Sequence, residues 1–366
     1  MLEDGVISNR QATLLVVSTI LPTSIMFLLA MISKEAQQDV WISVIILTVF
    51  GVVVGLIIAS LGTRFPGRTI VQYSEDILGR PLGKIVALIY PLFFIYINVF
   101  IIREFGDFIS ISLMPETPIS VFVISIVFTA GFAVYSGLEV LARVNEIILP
   151  LVLVFLALIL GLVLLEINIV NFFPVLEKGF LPPLKGAYPG MVFFAETMVM
   201  LMFIPYLSSP SGAKRSITLA VLILGFFQLM VTVMVIGIFG GLVPAMSFPF
   251  LQVTRYIQLA GGTFQRMEHF IMVIWVAGGF IKVGVFYYCA VLATAQWLNL
   301  RSYKALVPLI GVMLTVLSVI LWENVVQLSQ QIAGKVIPPY FLTVEAGIPF
   351  ILLVLAWIRG KGGGRT

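Results

Sequence analysis

GAYPGMVFFAETMVMLMFIPYL, running from Gly186 to Leu207, is long enough to cross a bilayer as a helix, which takes about 20 mostly apolar residues. It carries Glu196 and Thr197 near its middle. An acidic residue at the centre of a membrane helix costs about 2.5–3.5 kcal/mol on insertion scales. Glu196 is therefore expected to face protein, water or a ligand rather than lipid. The stretch opens the second half of the chain, and the first half opens with a comparable blemish, Leu21-Pro22-Thr23-Ser24 inside the first apolar stretch.

The composition sets the class. Hydrophobic residues make up 60% of the 366 and charged residues 10%, where a soluble domain carries roughly 25%. The chain is a polytopic membrane protein embedded in a lipid bilayer. The net charge of +4 is a topology signal, because no basic run suits a nucleic-acid backbone. The single cysteine, Cys289, excludes an internal disulfide and reads as packing. One histidine, His269, makes no metal site, and no nucleotide-binding loop or hydrolase motif is present. No cofactor, metal or enzymatic activity is expected. The N-terminus, MLEDGVISNRQ, is acidic where a signal peptide is basic, so the first span is expected to be retained.

Hydropathy divides the chain into ten apolar stretches: 12–33, 41–61, 84–105, 119–135, 147–165, 187–207, 217–240, 269–296, 305–321 and 339–358. With the N-terminus in the cytoplasm, thirteen Lys and Arg fall in inside segments and seven outside, which places both termini inside. The halves echo each other. Phe65-Pro66, Tyr73 and Gly79 recur at the same offsets as Phe248-Pro249, Tyr256 and Gly262. Each segment reads as a short amphipathic helix, with Ile70, Tyr73 and Ile77 or Val253, Tyr256 and Leu259 on one side. Five spans per half is an odd number, so a repeat must be inverted in the membrane, as in many secondary transporters. The expected fold is an all-α polytopic membrane protein. It has ten transmembrane helices in a 5+5 inverted repeat, residues 1–183 and 184–366, with discontinuous first and sixth helices.

Several residues are candidates for a site at mid-membrane. Pro22 removes a backbone donor, and Thr23 and Ser24 can bond to freed backbone groups. The stretch is either a broken helix that holds a ligand or an ordinary proline kink. Glu196 either binds a ligand ammonium, accepts a proton, pairs with a basic residue or makes a buried structural hydrogen bond. Lys282, in GGFIKVGVF, either pairs with Glu196, replaces a bound sodium ion or carries a proton; it lies too near mid-span to snorkel. Gly278 and Gly279 permit a close approach by a helix or a ligand, as do Gly51 and Gly55. Met198, Met200 and Met202 read as packing that can also line a site. Tyr96 and Asn98 either line a cavity or make interhelical bonds. Arg103, Glu104 and Asp107 read as a solvated ion cluster at the end of the third span. Arg143 has helical spacing to both Glu139 and Glu146.

Further motifs lie in a fixed order. Ile7-Ser8-Asn9-Arg10-Gln11 precedes the first span and Phe65-Pro66-Gly67 follows the second, ending in Leu78-Gly79. Gly137-Leu138-Glu139, Arg143, Glu146 and Pro150 surround the start of the fifth. Phe173-Pro174-Val175-Leu176, Gly179 and Leu184-Lys185-Gly186 precede the sixth. Together they resemble the spore germination permease family, the B subunits of endospore germinant receptors. The resemblance implies the amino acid–polyamine–organocation transporter architecture and residence in the spore inner membrane. It implies A-type and C-type (lipoprotein) receptor subunits as partners, and a small-molecule germinant, often an amino acid such as L-alanine. It places the ligand pocket at Pro22, Thr23, Ser24 and Ile25, at Asn98 and Val99, at Glu196, Thr197 and Met200, and at Gly278 to Lys282. A proton-coupled amino acid symporter is the alternative.

Overall fold

The computed structural model describes residues 3, 5–261, 268–322, 327 and 336–363, with main chain only at 258–261 and 268. Gly262, Arg266, Lys335, Arg365 and the Leu259 side chain, all used in the sequence reading, lie outside the described set. The described chain is almost wholly helical. Its helices are α1 Asn9–Thr23, α2 Leu29–Ala36, α3 Val40–Arg64, α4 Ile70–Leu78 and α5 Arg80–Ser112. They continue with α6 Ile119–Ser136, α7 Leu138–Leu162, α8 Leu181–Ala195, α9 Met200–Phe203 and α10 Ala213–Phe239. The last are α11 Pro249–Gly261, α12 Glu268–Trp297, α13 Leu306–Ile320, α14 Ile337–Leu342 and α15 Ile348–Ile358.

Among the described residues, eight helical runs are long and apolar enough to cross a membrane. The expected ten differ from these in two places. The first two spans run together as Asn9–Arg64, because a short 3-10 turn at Gln37–Asp39, with Gln37 at φ 50°, reverses the chain without an intervening loop. The ninth stretch forms α13, whose 15 residues fall short of the roughly 20 that span a bilayer. Large apolar side chains face outward, among them Phe128, Phe132, Val154 and Leu309. In water such a surface would associate; in lipid it is the solvated face. The protein is an integral membrane protein.

The two echoing segments are both helices, α4 and α11. Ile70, Tyr73 and Ile77 of α4 are buried as the pattern requires, and so is Val253 of α11. Tyr256 instead turns to the outside, where its hydroxyl donates to Glu166 at 3.1 Å. The glycine pair Gly51 and Gly55 lets α3 lie directly against Phe194 of α8 and Ile217 and Val221 of α10. A Cβ at either glycine would overlap those side chains.

The N-terminal segment is tied down. Ser8 and Gln11 cap α1 reciprocally, with bonds of 3.1 and 2.8 Å, so two otherwise orphaned backbone donors are satisfied. Ile7 and Ser208 pair with the chain at Tyr206 and Ile7 through backbone bonds of 2.9 Å. The Glu3 carboxylate accepts from Tyr303 at 2.8 Å, from Tyr288 at 3.3 Å and from the Leu138 amide at 3.3 Å. Burial, with the Glu3 carboxylate beside it, holds the Tyr303 phenol well above its ordinary pKa, so it remains a donor. The strap thus joins α7, α12 and the approach to α13. Glu3→Ala is expected to destabilise the protein by about 2 kcal/mol, since bonds to a charged acceptor are worth roughly 1.5–3 kcal/mol and a buried phenol is orphaned. Thermal unfolding in detergent measures it; an unchanged midpoint would mean that the strap carries no stability.

Candidate functional site

The first irregularity follows Pro22. Two residues beyond it the helix widens into a π turn, Ser24–Leu28, before α2 resumes. Proline has no N–H to give, and the hydroxyls of Thr23 and Ser24 bond back to the carbonyls of Ile20 at 3.3 Å and Leu21 at 3.0 Å. The second irregularity begins at Glu196. There α8 tightens into a 3-10 turn, Glu196–Val199, and the Thr197 hydroxyl bonds to the Phe194 carbonyl at 3.3 Å. Both fall where the sequence places them. Neither is an unwound gap: the chain stays helical through each, with a changed hydrogen-bond spacing. Fewer backbone groups are therefore free for a ligand than a broken helix would offer.

Side chains, rather than backbone, make the centre of the site. Lys282 lies midway along α12 and is 1% exposed. Its ammonium donates to Glu196 Oε1 at 2.7 Å, to Glu196 Oε2 at 2.8 Å and to Thr23 Oγ1 at 2.6 Å. Phe193 and Phe286 place their rings 5.8 and 5.9 Å from the same ammonium, within range of a cation–π contact. One charge thus ties α1, the 3-10 turn after α8, and α12 together. Gly278, one turn before Lys282, sits against the Pro22 ring with no room for a Cβ.

Two more acidic residues join the site. Glu104 of α5, only 2% exposed, lines the same cavity as Glu196 and Lys282, and its Oε1 has no hydrogen-bond partner among the described residues. Glu345 sits fully buried in a second π turn, Thr343–Gly347, between α14 and α15. That turn packs directly on the Glu196–Val199 turn, and Glu345 lies within electrostatic reach of Glu196 and Lys282. Neither Glu345 oxygen has a partner among the described residues. The cavity is about 30 Å³, walled by apolar groups including Ile101, Phe193 and Phe341. That is room for about one water molecule.

Of the expected site residues, only Glu196 and Lys282 line the cavity. Asn98 donates to the Val283 carbonyl at 3.3 Å, an α5–α12 bond, while its Oδ1 is unpartnered among the described residues. Pro22, Ser24, Ile25, Val99, Thr197 and Met200 are all buried. Arg103 and Asp107 are a correction. They are buried, not solvated, because α5 continues to Ser112 and carries them into the protein. Arg103 pairs with Asp107 at 2.9 Å and donates to the carbonyls of Ser318, Val319 and Trp322, capping the end of α13. Glu146 also departs from expectation: Arg143 pairs with Glu139, and Glu146 instead accepts from Gln11 at 3.0 Å.

Two features close on this centre along α12. Trp275 lies seven residues before Lys282, about 10 Å along the helix. It contacts the rings of Phe27, Phe105 and Phe108 at 5.0–6.3 Å, and Phe27 and Phe108 both meet Phe248. Tyr288, bonded to Glu3, lies six residues after Lys282, about 9 Å the other way.

Comparison with known proteins identifies the family and the fold. A family profile described as spore germination protein matches residues 6–326. The chain belongs to the spore germination protein family. Two relatives from Bacillus subtilis (strain 168) cover this family member almost end to end. Spore germination protein YndE is 27% identical over 97% of this chain and 98% of its own. Spore germination protein KB is 25% identical over 98% of this chain and 97% of its own. Among solved structures, MhsT in complex with L-phenylalanine superposes with a TM-score of 0.67 at 12% identity, covering 97% of this chain and 99% of the other. Mhp1, a nucleobase-cation-symport-1 family transporter, superposes with a TM-score of 0.64 at 11% identity, covering 94% and 77%. The chain therefore shares the fold of these two solved proteins.

Proposed function

We propose that the chain is the germinant-sensing membrane subunit of a spore germination receptor. It binds a small polar germinant with an ammonium group, most simply an amino acid, at the Glu196–Lys282 centre. It sits in the spore inner membrane with both termini in the cytoplasm and works with A-type and C-type (lipoprotein) subunits. Its ten helices form two inverted halves, 1–183 and 184–366. Pro22 to Ile25, Asn98, Val99, Glu196, Thr197, Met200, Gly278 and Lys282 surround the ligand.

The observation that carries this reading is the Lys282 ammonium bonded at once to Glu196 and Thr23. It is a primary ammonium held by a carboxylate and a hydroxyl at mid-membrane, the same chemistry that an amino acid's own ammonium presents. The cavity of about 30 Å³ is too small for an amino acid beside it. Binding therefore requires Lys282 to yield its place on Glu196 and the helices around it to move. A ligand drives such a shift only by binding one arrangement better than the other. That shift, passed to the partner subunits, is the signal.

The transporter fold favours a second reading, an amino acid symporter with Glu196 or Lys282 cycling a proton. Radiolabelled L-alanine and other amino acids presented to proteoliposomes separate the two. Saturable binding without accumulation supports the receptor; accumulation driven by a pH gradient supports the symporter. Glu196→Gln is expected to abolish the ligand response while the protein still accumulates, because Lys282 keeps the Thr23 hydroxyl and the carboxyls of Glu104 and Glu345 nearby. A normal ligand response in that variant would remove Glu196 from the site.

A further inference from the structure

A second cavity, about 410 Å³, opens at one end of the helical bundle, away from the central site. Three helix ends form it: the end of α3 at Arg64, the start of α10 at Lys214, and the last turns of α15 at Trp357. All three are the termini of apolar helices, so the cleft lies where the hydrocarbon core gives way to headgroups.

Its chemistry is two-sided. The charged side chains that line it are both cationic, Arg64 and Lys214. Arg64 is held in place, its Nε donating to the Lys361 carbonyl at 2.6 Å and its Nη2 to the Ala356 carbonyl at 3.5 Å. Lys214 is exposed and has no hydrogen-bond or ion-pair partner among the described residues. The Thr63 hydroxyl lines the same side. The opposite wall is apolar: Leu353, Val354 and Trp357, the last 77% exposed. Tryptophan at a helix end sits at headgroup level, with its ring against the upper acyl chain.

We propose that this cleft binds an anionic phospholipid. Arg64 and Lys214 take the phosphate, and Leu353, Val354 and Trp357 take the first carbons of an acyl chain. A free phosphate uses only the first half of the site, and a zwitterionic lipid carries a choline cation that the two basic residues repel. Basic pockets between membrane helices suit anionic headgroups for this reason.

Native mass spectrometry of the full-length protein tests this with phosphatidylglycerol, phosphatidylcholine and inorganic phosphate as separate probes. Phosphatidylglycerol is expected to bind at least tenfold more tightly than phosphatidylcholine. A basic residue near an anionic surface is worth about 1 kcal/mol, or about fivefold in affinity. Lys214→Gln is therefore expected to weaken phosphatidylglycerol about fivefold and Lys214→Glu about thirtyfold, with phosphatidylcholine unchanged. Lys214 has no partner to lose, so both variants should fold, which size-exclusion elution checks. Arg301→Gln, an exposed basic residue outside the cleft, should bind phosphatidylglycerol as the parent does. The proposal is overturned by equal binding of the two lipids, by full retention in Lys214→Glu, by an equal loss in Arg301→Gln, or by saturable binding of phosphate alone.

Discussion

Lys282→Met is expected to destabilise the protein by about 3–5 kcal/mol, the usual consequence of removing one partner of a buried ion pair. Methionine fills nearly the same volume, so packing is not what the variant loses. Glu196 loses both of its 2.7–2.8 Å bonds, and Thr23 loses its donor. Glu104, Glu196 and Glu345 then share a buried region in which Lys282 is the only cation among the described residues lining the cavity. The Glu196 carboxylate is then buried without its counter-charge, which costs several kcal/mol unless it takes up a proton. The double variant Glu196→Gln/Lys282→Met removes both charges of the pair and is expected to regain most of the loss, since neutral groups of similar volume replace a buried pair at little cost. It should accumulate yet fail to respond to germinant. Thermal unfolding and monodispersity in detergent read the stability of both variants. If Lys282→Met melts with the parent, the ammonium is not what holds the carboxylates, and the sensing scheme loses its centre.

How far the sequence foretold this site follows from what hydropathy can register. Glu196 and Lys282 announce themselves as single charges in apolar runs, and the structure joins them. Glu345 gives the same signal, a lone acid inside 339–358, but no second feature of the sequence ties it to a site. The π turn that surrounds it is a change of hydrogen-bond spacing, which leaves no mark in composition. Glu104, Arg103 and Asp107 misled for a different reason. Three charges in five residues look like the end of a span, but α5 runs on to Ser112, and the carbonyl end of α13 gives Arg103 its partners. Such a partner, over two hundred residues away, is a tertiary fact. The helix interruptions were placed correctly from Pro22 and Glu196. Their form was not, because whether a helix gapes or only re-spaces its bonds depends on the neighbours that crowd it. Here Lys282, Pro22 and Gly278 crowd both.

Gly278→Leu tests that crowding. A Cβ at this position would fall on the Pro22 ring, and a pyrrolidine ring cannot swing aside as the tip of a long side chain does. Alanine alone is expected to cost about 1–3 kcal/mol by overpacking, and leucine more. The structural response is also predictable. α1 and α12 must separate at Pro22, one residue from Thr23 and one helical turn from Lys282, which stretches the 2.6 Å Lys282–Thr23 bond first. The ammonium then leans on Glu196 alone, and germinant response falls further than stability does. Gly161→Ala is the control. Its Cβ meets nothing within 4 Å, and alanine in place of glycine favours a helix by about 1 kcal/mol. Melting temperature and dose–response in membranes, measured for both glycines, decide the matter. Should Gly278→Leu respond to germinant as the parent does, α1 and α12 would not need to meet here, and the carboxylate, hydroxyl and ammonium would be a structural knot with no part in sensing.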